Sequence, residues 1–177
     1  MAEFTLPGMP ELSAWESVSD QRRAEVADRF NRRVVPVASG CWIWTGAVST
    51  PDGYGRVMVT TDGVNRTFSA HRLACSLAGV TLHPGMVVDH RCNEPLCVRV
   101  HPEHVTVSSQ SENLSYAVAC GRAVGPRTAV DSGRRAERSR AVRDLALSGW
   151  SEQEYDALVR AFETERVDVS DDQLRLF

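Results

Sequence analysis

The chain has 177 residues, 42% hydrophobic and 24% charged, a size for one domain with extensions or two small ones, and a balance that excludes wholesale disorder. No apolar run approaches the roughly 18 residues of a membrane span, and the acidic start Met1-Ala2-Glu3-Phe4 has no basic, apolar leader, so the sequence reads as cytoplasmic with no membrane partner. The net charge of −3 conceals +5 over residues 121–143 and −6 from residue 144 onward, with all 20 basic residues arginine, which permits a polyanionic partner without requiring one.

Residues 1–12, with Pro7, Gly8 and Pro10, read as a loose arm. From Ser13 to about Arg33 the apolar Trp15, Val18, Val26 and Phe30 recur among charges, predicting one or two amphipathic helices that Pro36 and Gly40 close. From Cys41 the texture changes to short β-type runs at 41–45, 54–60 and 67–70, separated by Pro51-Asp52-Gly53 and Asp62-Gly63, which predicts a small antiparallel meander. His71 to Ala78 reads as a short helix stopped by Gly79. Met86 to His90 is a strand, 91–103 a polar cysteine-bearing loop, and His104 to Ser108 a second strand. Ser109 and Glu112 form a capping box that opens a helix running to Gly121. Residues 122–132 read as a linker, followed by helices at 134–147 and 152–162, the second capped by Ser151 with Glu154. The fold class is therefore α+β. A meander and a strand–loop–strand–helix core occupy 41–121, an N-terminal arm and helix precede them at 1–40, and a linker and helical extension follow at 122–177.

Five cysteines in a chain of this kind favour metal ligation over a disulfide framework. Cys92, Cys97 and His104 bring three ligand types into one loop and the strand after it, and Cys41 is the natural fourth for tetrahedral zinc. Such a zinc would clamp the meander to the long loop. His104 is preferred because a strand fixes its direction, while His101 competes from mid-loop. Cys75 reads as a packing residue, and Cys120 has no evident partner.

Asp89 and His90 end one strand, and Asn113 lies in the first turn of the helix that follows the other. If these elements fold back on one another, His90 and Asn113 face each other across a cleft. An imidazole takes a proton from water near neutral pH, a carboxamide oxygen suits Mg²⁺, and the helix N-terminus favours a phosphate. That combination is the chemistry of metal-assisted phosphodiester hydrolysis.

Several segments, in order, carry a specific resemblance. They are Cys-Trp-Ile-Trp-Thr-Gly (41–46), Gly-Tyr-Gly-Arg (53–56), Ala-His-Arg-Leu (70–73), Val-Val-Asp-His-Arg-Cys (87–92), Pro-Leu-Cys-Val (95–98), Pro-Glu-His-Val (102–105) and Ser-Glu-Asn-Leu (111–114). Residues 41–114 resemble an HNH endonuclease of the His-Me finger (ββα-metal) superfamily, of the phage and bacterial type that is similar to His-Cys-box homing endonucleases. The resemblance implies a zinc-stabilised ββα-metal core, His90 as general base, and Asn113 as a ligand of catalytic Mg²⁺ or Mn²⁺. It implies Arg72 as a contact to the scissile phosphate, which His71 could replace, and Cys41, Cys92, Cys97 and His104 as the structural zinc set. Asp89 is a metal ligand in some of these enzymes, although strict strand alternation sends it and His90 to opposite faces. The link Val98-Arg99-Val100-His101 is longer than usual, which keeps His101 in competition.

The implied partner is double-stranded DNA inside a bacterial host cell, with Arg134, Arg135, Arg138 and Arg140 as expected phosphate contacts. Residues 147–155 resemble a helix-turn-helix turn, but Glu152, Glu154 and Asp156 crowd its second helix; a protein partner, such as a phage packaging component, is the other reading of the tail. The alternative to a nuclease is a non-catalytic zinc module that binds DNA or protein.

Overall fold

A computed structural model describes residues 15–50, 52–121 and 129–162 of the chain. The predicted arm at 1–12, most of the linker and the acidic segment after 162 lie outside the described residues. Helix α1 (Asp20–Asn31) starts where the Ser19 hydroxyl accepts from the Arg22 N–H, and buries Val26 and Phe30 one turn apart. Phe30 stacks on Trp44 with ring centroids 4.9 Å apart.

The meander forms, but with fewer members than its sequence texture predicts. Strands β3 (Ala47–Val48), β4 (Gly55–Thr61) and β5 (Val64–Ser69) make one antiparallel sheet. Asp62 and Gly63 both take positive φ, 52° and 74°, as a two-residue type I′ hairpin turn requires. Strand β2 (Trp42–Trp44) leaves this sheet and pairs instead with β1 (Val34–Pro36), centred on Val35 and Ile43. Its other edge is claimed by the cysteine loop. The Trp44 N–H donates to the Leu96 carbonyl and the Val98 N–H to the Trp42 carbonyl, each at 2.8 Å. Those bonds satisfy an edge that a meander would have left to β3.

Helix α2 (Ala70–Leu77) follows β5 directly. Strands β6 (Met86–His90) and β7 (Val105–Ser109) pair antiparallel from Met86 opposite Ser109 to His90 opposite Val105. Helix α3 (Gln110–Ala119) then opens with the predicted capping box, Ser109 and Glu112 each bonding the other's backbone N–H. Helix α4 (Ala129–Ser148) begins earlier than predicted, inside the expected linker. A final helix at 152–162 starts with the Ser151 hydroxyl accepting from the Glu154 N–H.

Two hydrophobic clusters organise the molecule. The first joins α1 to the meander and α2 through Trp15, Val26, Phe30, Trp44, Val59 and Phe68. The second joins β2, the cysteine loop and β6–β7 to the C-terminal helices, with Ile43, Leu96, Val105, Val142 and Ala146 at its centre. Helix α4 buries Ala136, Ser139, Val142 and Ala146, a helical stripe turned inward. The approach is close enough that a Cβ on Gly53 would stand 2.7 Å from the Arg135 carbonyl oxygen. The extension is thus packed into the body of the protein.

Candidate metal centre and the histidine cluster beside it

The cysteine loop is held against β2, and this brings Cys41 to His104, 63 positions further along the chain. Cys41, Cys92, Cys97 and His104 each present a ligand atom, all within 4.8 Å of one another. His104 Nδ1 lies 3.5 Å from Cys41 Sγ and 3.8 Å from Cys97 Sγ. Zinc–sulfur bonds of about 2.3 Å and zinc–nitrogen bonds of about 2.0 Å put tetrahedral ligand atoms roughly 3.5–3.8 Å apart. Three thiols and an imidazole, mostly buried, therefore fit a structural zinc, held by the three sulfurs and His104 Nδ1. Contact with Cys41 and Cys92 holds the Cys97 thiol well below its ordinary value, while contact with Cys92 and Cys97 and burial push the Cys41 thiol up.

His104, not His101, is the histidine in the set. His101 keeps 41% of its side chain exposed, and its Nδ1 accepts from the Glu103 N–H. Gly40, next to Cys41, has φ +83°, and a Cβ there would stand 2.9 Å from Arg99 Nη1 and 3.2 Å from His104 Nε2. Only glycine fits that corner. Cys75 is fully buried among apolar groups, which push its thiol up to about 11, as a packing residue should be.

Glu94, between Cys92 and Cys97, is 1% exposed. Its Oε2 accepts from Arg138 Nη2 and from Tyr155 Oη, each at 3.0 Å, and its Oε1 accepts from the Leu96 N–H. Arg138, expected to contact nucleic acid, is therefore committed inside the protein, where it pins α4 to the metal loop. Removing one partner from a buried pair of this kind strands the other charge, at about 3–5 kcal/mol. Arg134 donates to the Phe162 carbonyl at 3.1 Å, Arg140 to Thr50 Oγ1 at 3.4 Å, and Arg135 is half-buried on the same helix. Trp150 packs on Tyr155 at 4.9 Å, and Glu152 accepts from both Trp150 Nε1 and the Ser39 N–H. The segment resembling a helix-turn-helix turn is docked by these contacts.

His90 is 5% exposed at the end of β6. Its Nε2 lies 3.0 Å from the Cys97 carbonyl oxygen, which only accepts, so Nε2 carries the proton and Nδ1 is the basic nitrogen of the neutral ring. Nδ1 has no hydrogen bond among the described residues. Burial lowers the proton affinity of His90, against the opposing pull of Cys92, the Cys97 carbonyl, Glu94 and Asp89. Tyr54 stacks on His90 at 5.6 Å and 18°, and His71 meets it edge-on at 4.7 Å. Tyr54 lies within the Gly-Tyr-Gly-Arg segment, but the sequence assigned it no role.

His71 is buried with Nδ1 lacking a partner. Burial lowers its proton affinity well below 6.5, with His90, Arg72 and Arg56 adding to the effect. As pH falls, the unfolded chain therefore takes up this proton first. The stability His71 contributes is present above about pH 6.5 and is lost as pH falls through the folded value. We predict that His71→Gln flattens the acid-side loss of stability by up to about 1.4 kcal/mol per pH unit, read from urea midpoints on either side of pH 6.5. An unchanged slope would assign the acid sensitivity elsewhere.

Asp89 is buried, and its Oδ2 lies 3.3 Å from Arg91 Nε without hydrogen-bond alignment, leaving that oxygen unpartnered. Arg91 lies 4.0 Å over the ring of Tyr116, whose hydroxyl donates to the Arg91 carbonyl at 2.7 Å. Asn113, half-buried, is three residues before Tyr116 and so shares its face of α3. The chain thus links Asp89 to α3 through Arg91, whereas His90 is enclosed by Tyr54 and His71. Arg72, half-buried on α2, is adjacent to His71 in this second group.

No protein-family model matches the chain, and no solved structure matches it significantly. No helix among the described residues is long and apolar enough to cross a membrane. The chain is similar to Protein 2.8 of Escherichia phage T7, 32% identical over 98 residues, which make up 55% of this chain and 63% of that protein. It spans less than two thirds of that relative's length, so the likeness connects the chain to a phage protein without assigning it an activity.

Proposed function

We propose that the chain is a metal-dependent DNA endonuclease of the HNH, His-Me finger (ββα-metal) type, acting in a phage-infected or bacterial cell. The observation that carries this reading is the state of His90. A carbonyl of the metal loop fixes its tautomer, burial keeps it neutral, and Nδ1 is left without a partner. Those are the properties of a general base. In the proposed reaction Nδ1 takes the proton of a water whose oxygen bonds to the phosphorus as the P–O ester bond on the opposite side breaks, the leaving oxygen taking a proton from solvent. Arg72 contacts a non-bridging oxygen of the scissile phosphate, and the N-terminus of α3 faces the developing charge. Asp89 Oδ2, ion-paired with Arg91 but without a hydrogen bond, and the Asn113 carboxamide are hard oxygen donors suited to Mg²⁺ or Mn²⁺. Such an ion, when bound, supplies charge stabilisation to the phosphate and the leaving oxygen. The zinc set pins the Cys97 carbonyl and hence the orientation of His90, as supporting contacts do at other metal sites.

One observation favours a different reading, a non-catalytic zinc module that binds DNA or protein. Strand β6 keeps regular pairing through His90, so alternation directs Asp89 and His90 to opposite faces. A supercoiled-plasmid assay with and without Mg²⁺ separates the two. The nuclease reading expects nicked or linear product only with the ion; plasmid left supercoiled under both conditions overturns it in favour of the binding module.

A further inference from the structure

We infer that the groove between α1 and the meander is a cationic seat for the phosphate backbone of duplex DNA, next to the scissile position. The inference rests on the nuclease reading above. The groove encloses about 240 Å³, with Arg29, Arg33 and Arg56 around a floor that includes Phe30 and Trp44. No carboxylate lines it among the described residues.

Each arginine stands there for a local reason. Arg29 and Arg33 are four positions apart, spanning the last turn of α1 and its exit, which sets them on one side. Arg29 spends one donor on the Met58 carbonyl at 2.7 Å, tying α1 to β4, and has others to spare. Arg33 is exposed and has no side-chain partner among the described residues. Arg56 is ion-paired with Asp52 and donates to the Ser69 hydroxyl, so it lines the groove as a guanidinium already partly balanced by a carboxylate. Asp28 is ion-paired with Arg32 and is not among the groove's lining residues.

The chain joins the groove to the histidine cluster, because Tyr54, which stacks on His90, is two residues before the groove residue Arg56. Along β4, Gly55, Val57 and Val59 are buried, Arg56 and Met58 alternate with them on the outer face, and Tyr54 immediately precedes the strand. Tyr54 stacks on His90 at one end of that row, and Arg56 and Met58 line the groove at the other. A strand whose phosphodiester sits at His90 would run its next phosphates toward Arg56 and then Arg33 and Arg29. Guanidinium forks match phosphate oxygens. On α4, Arg138 and Arg134 bond within the protein, whereas in the groove Arg33 has no side-chain partner among the described residues and Arg29 keeps donors beyond the one given to Met58.

The experiment measures binding of a short labelled DNA duplex in Mg²⁺-free buffer, by anisotropy, across about 50–200 mM salt. The proteins are the wild type, the double variant Arg29→Gln/Arg33→Gln, and Arg22→Gln, whose exposed arginine pairs with Glu25. Losing two phosphate contacts should lower the log–log salt slope by about two and weaken binding roughly 10- to 100-fold near 0.1 M salt, with Arg22→Gln unchanged. Circular dichroism confirms that the double variant is folded, and Arg33→Gln alone, which touches no internal bond, should still lower the slope by about one. Duplex binding with equal slopes in wild type and variants overturns the groove and leaves the nuclease reading standing. No duplex binding by the wild type, or a preference for RNA or an acidic protein, overturns the groove, and the plasmid assay then decides the nuclease reading separately.

Discussion

His90→Ala is expected to lower Mg²⁺-dependent plasmid cleavage on the order of 100- to 10,000-fold, the range for loss of a general base, while zinc content and circular dichroism stay at wild-type values. The separation follows from where the ring sits. His90 is not among the zinc ligands, and its one hydrogen bond runs outward from Nε2 to the Cys97 carbonyl. Alanine removes the basic nitrogen and opens a cavity beside Tyr54 and His71. His90→Gln answers the packing objection, because its amide fills more of that space and can still donate to the carbonyl. It offers no base, so it should cleave as poorly as alanine. Recovery of cleavage in the glutamine variant would make His90 a packing residue and assign the water's proton elsewhere. Cleavage retained in both would remove it from the chemistry altogether.

What the sequence made legible was local. The Ser109–Glu112 capping box and the Asp62-Gly63 turn each need only a few neighbouring residues, and both form as expected. The candidate metal set was readable because cysteine and histidine have few other reasons to cluster in a polar loop; His104 is the histidine in it, although the strand expected to start there begins one residue later, at Val105. Strand β1 was missed because three residues ending in proline carry almost no pattern; its existence depends on β2 turning away from the meander to meet the metal loop. The Glu94–Arg138–Tyr155 cluster was illegible for a similar reason. Its members come from segments 44 and 61 residues apart, and Arg138 has the sequence appearance of its solvated neighbours. Burial of a charge is a property of the assembled fold, not of the helix that carries it. Sequence placed His90 and Asn113 on elements that pack together, and strand alternation already set Asp89 and His90 on opposite faces; the register adds that β6 stays regularly paired through His90.

Removing zinc should unfold the molecule unevenly. Cys97 is fully buried, in the second hydrophobic cluster, and its neighbours Leu96 and Val98 hold the outer edge of β2. Structural zinc contributes about 10–16 kcal/mol to small metal-bound domains, as much as the whole stability of a typical protein. Chelation, or Cys97→Ser, is therefore expected to abolish cooperative unfolding of that cluster. The C-terminal helices should be lost with it, because Glu94 sits inside the Cys92–Cys97 loop and holds both Arg138 and Tyr155. The α1–meander cluster has a separate set of apolar contacts, including Trp15, Val59 and Phe68. Hydrogen exchange after chelation should then show the amides of β6, β7 and α4 losing protection first, with β4 and β5 persisting longer. Cys75→Ala is the comparison, since it disturbs the same cluster without touching the ligand set and should keep stoichiometric zinc. Uniform loss of protection would mean that the two clusters fold as one unit. Full protection after complete chelation would show that packing alone holds the loop and that the metal is dispensable to the fold.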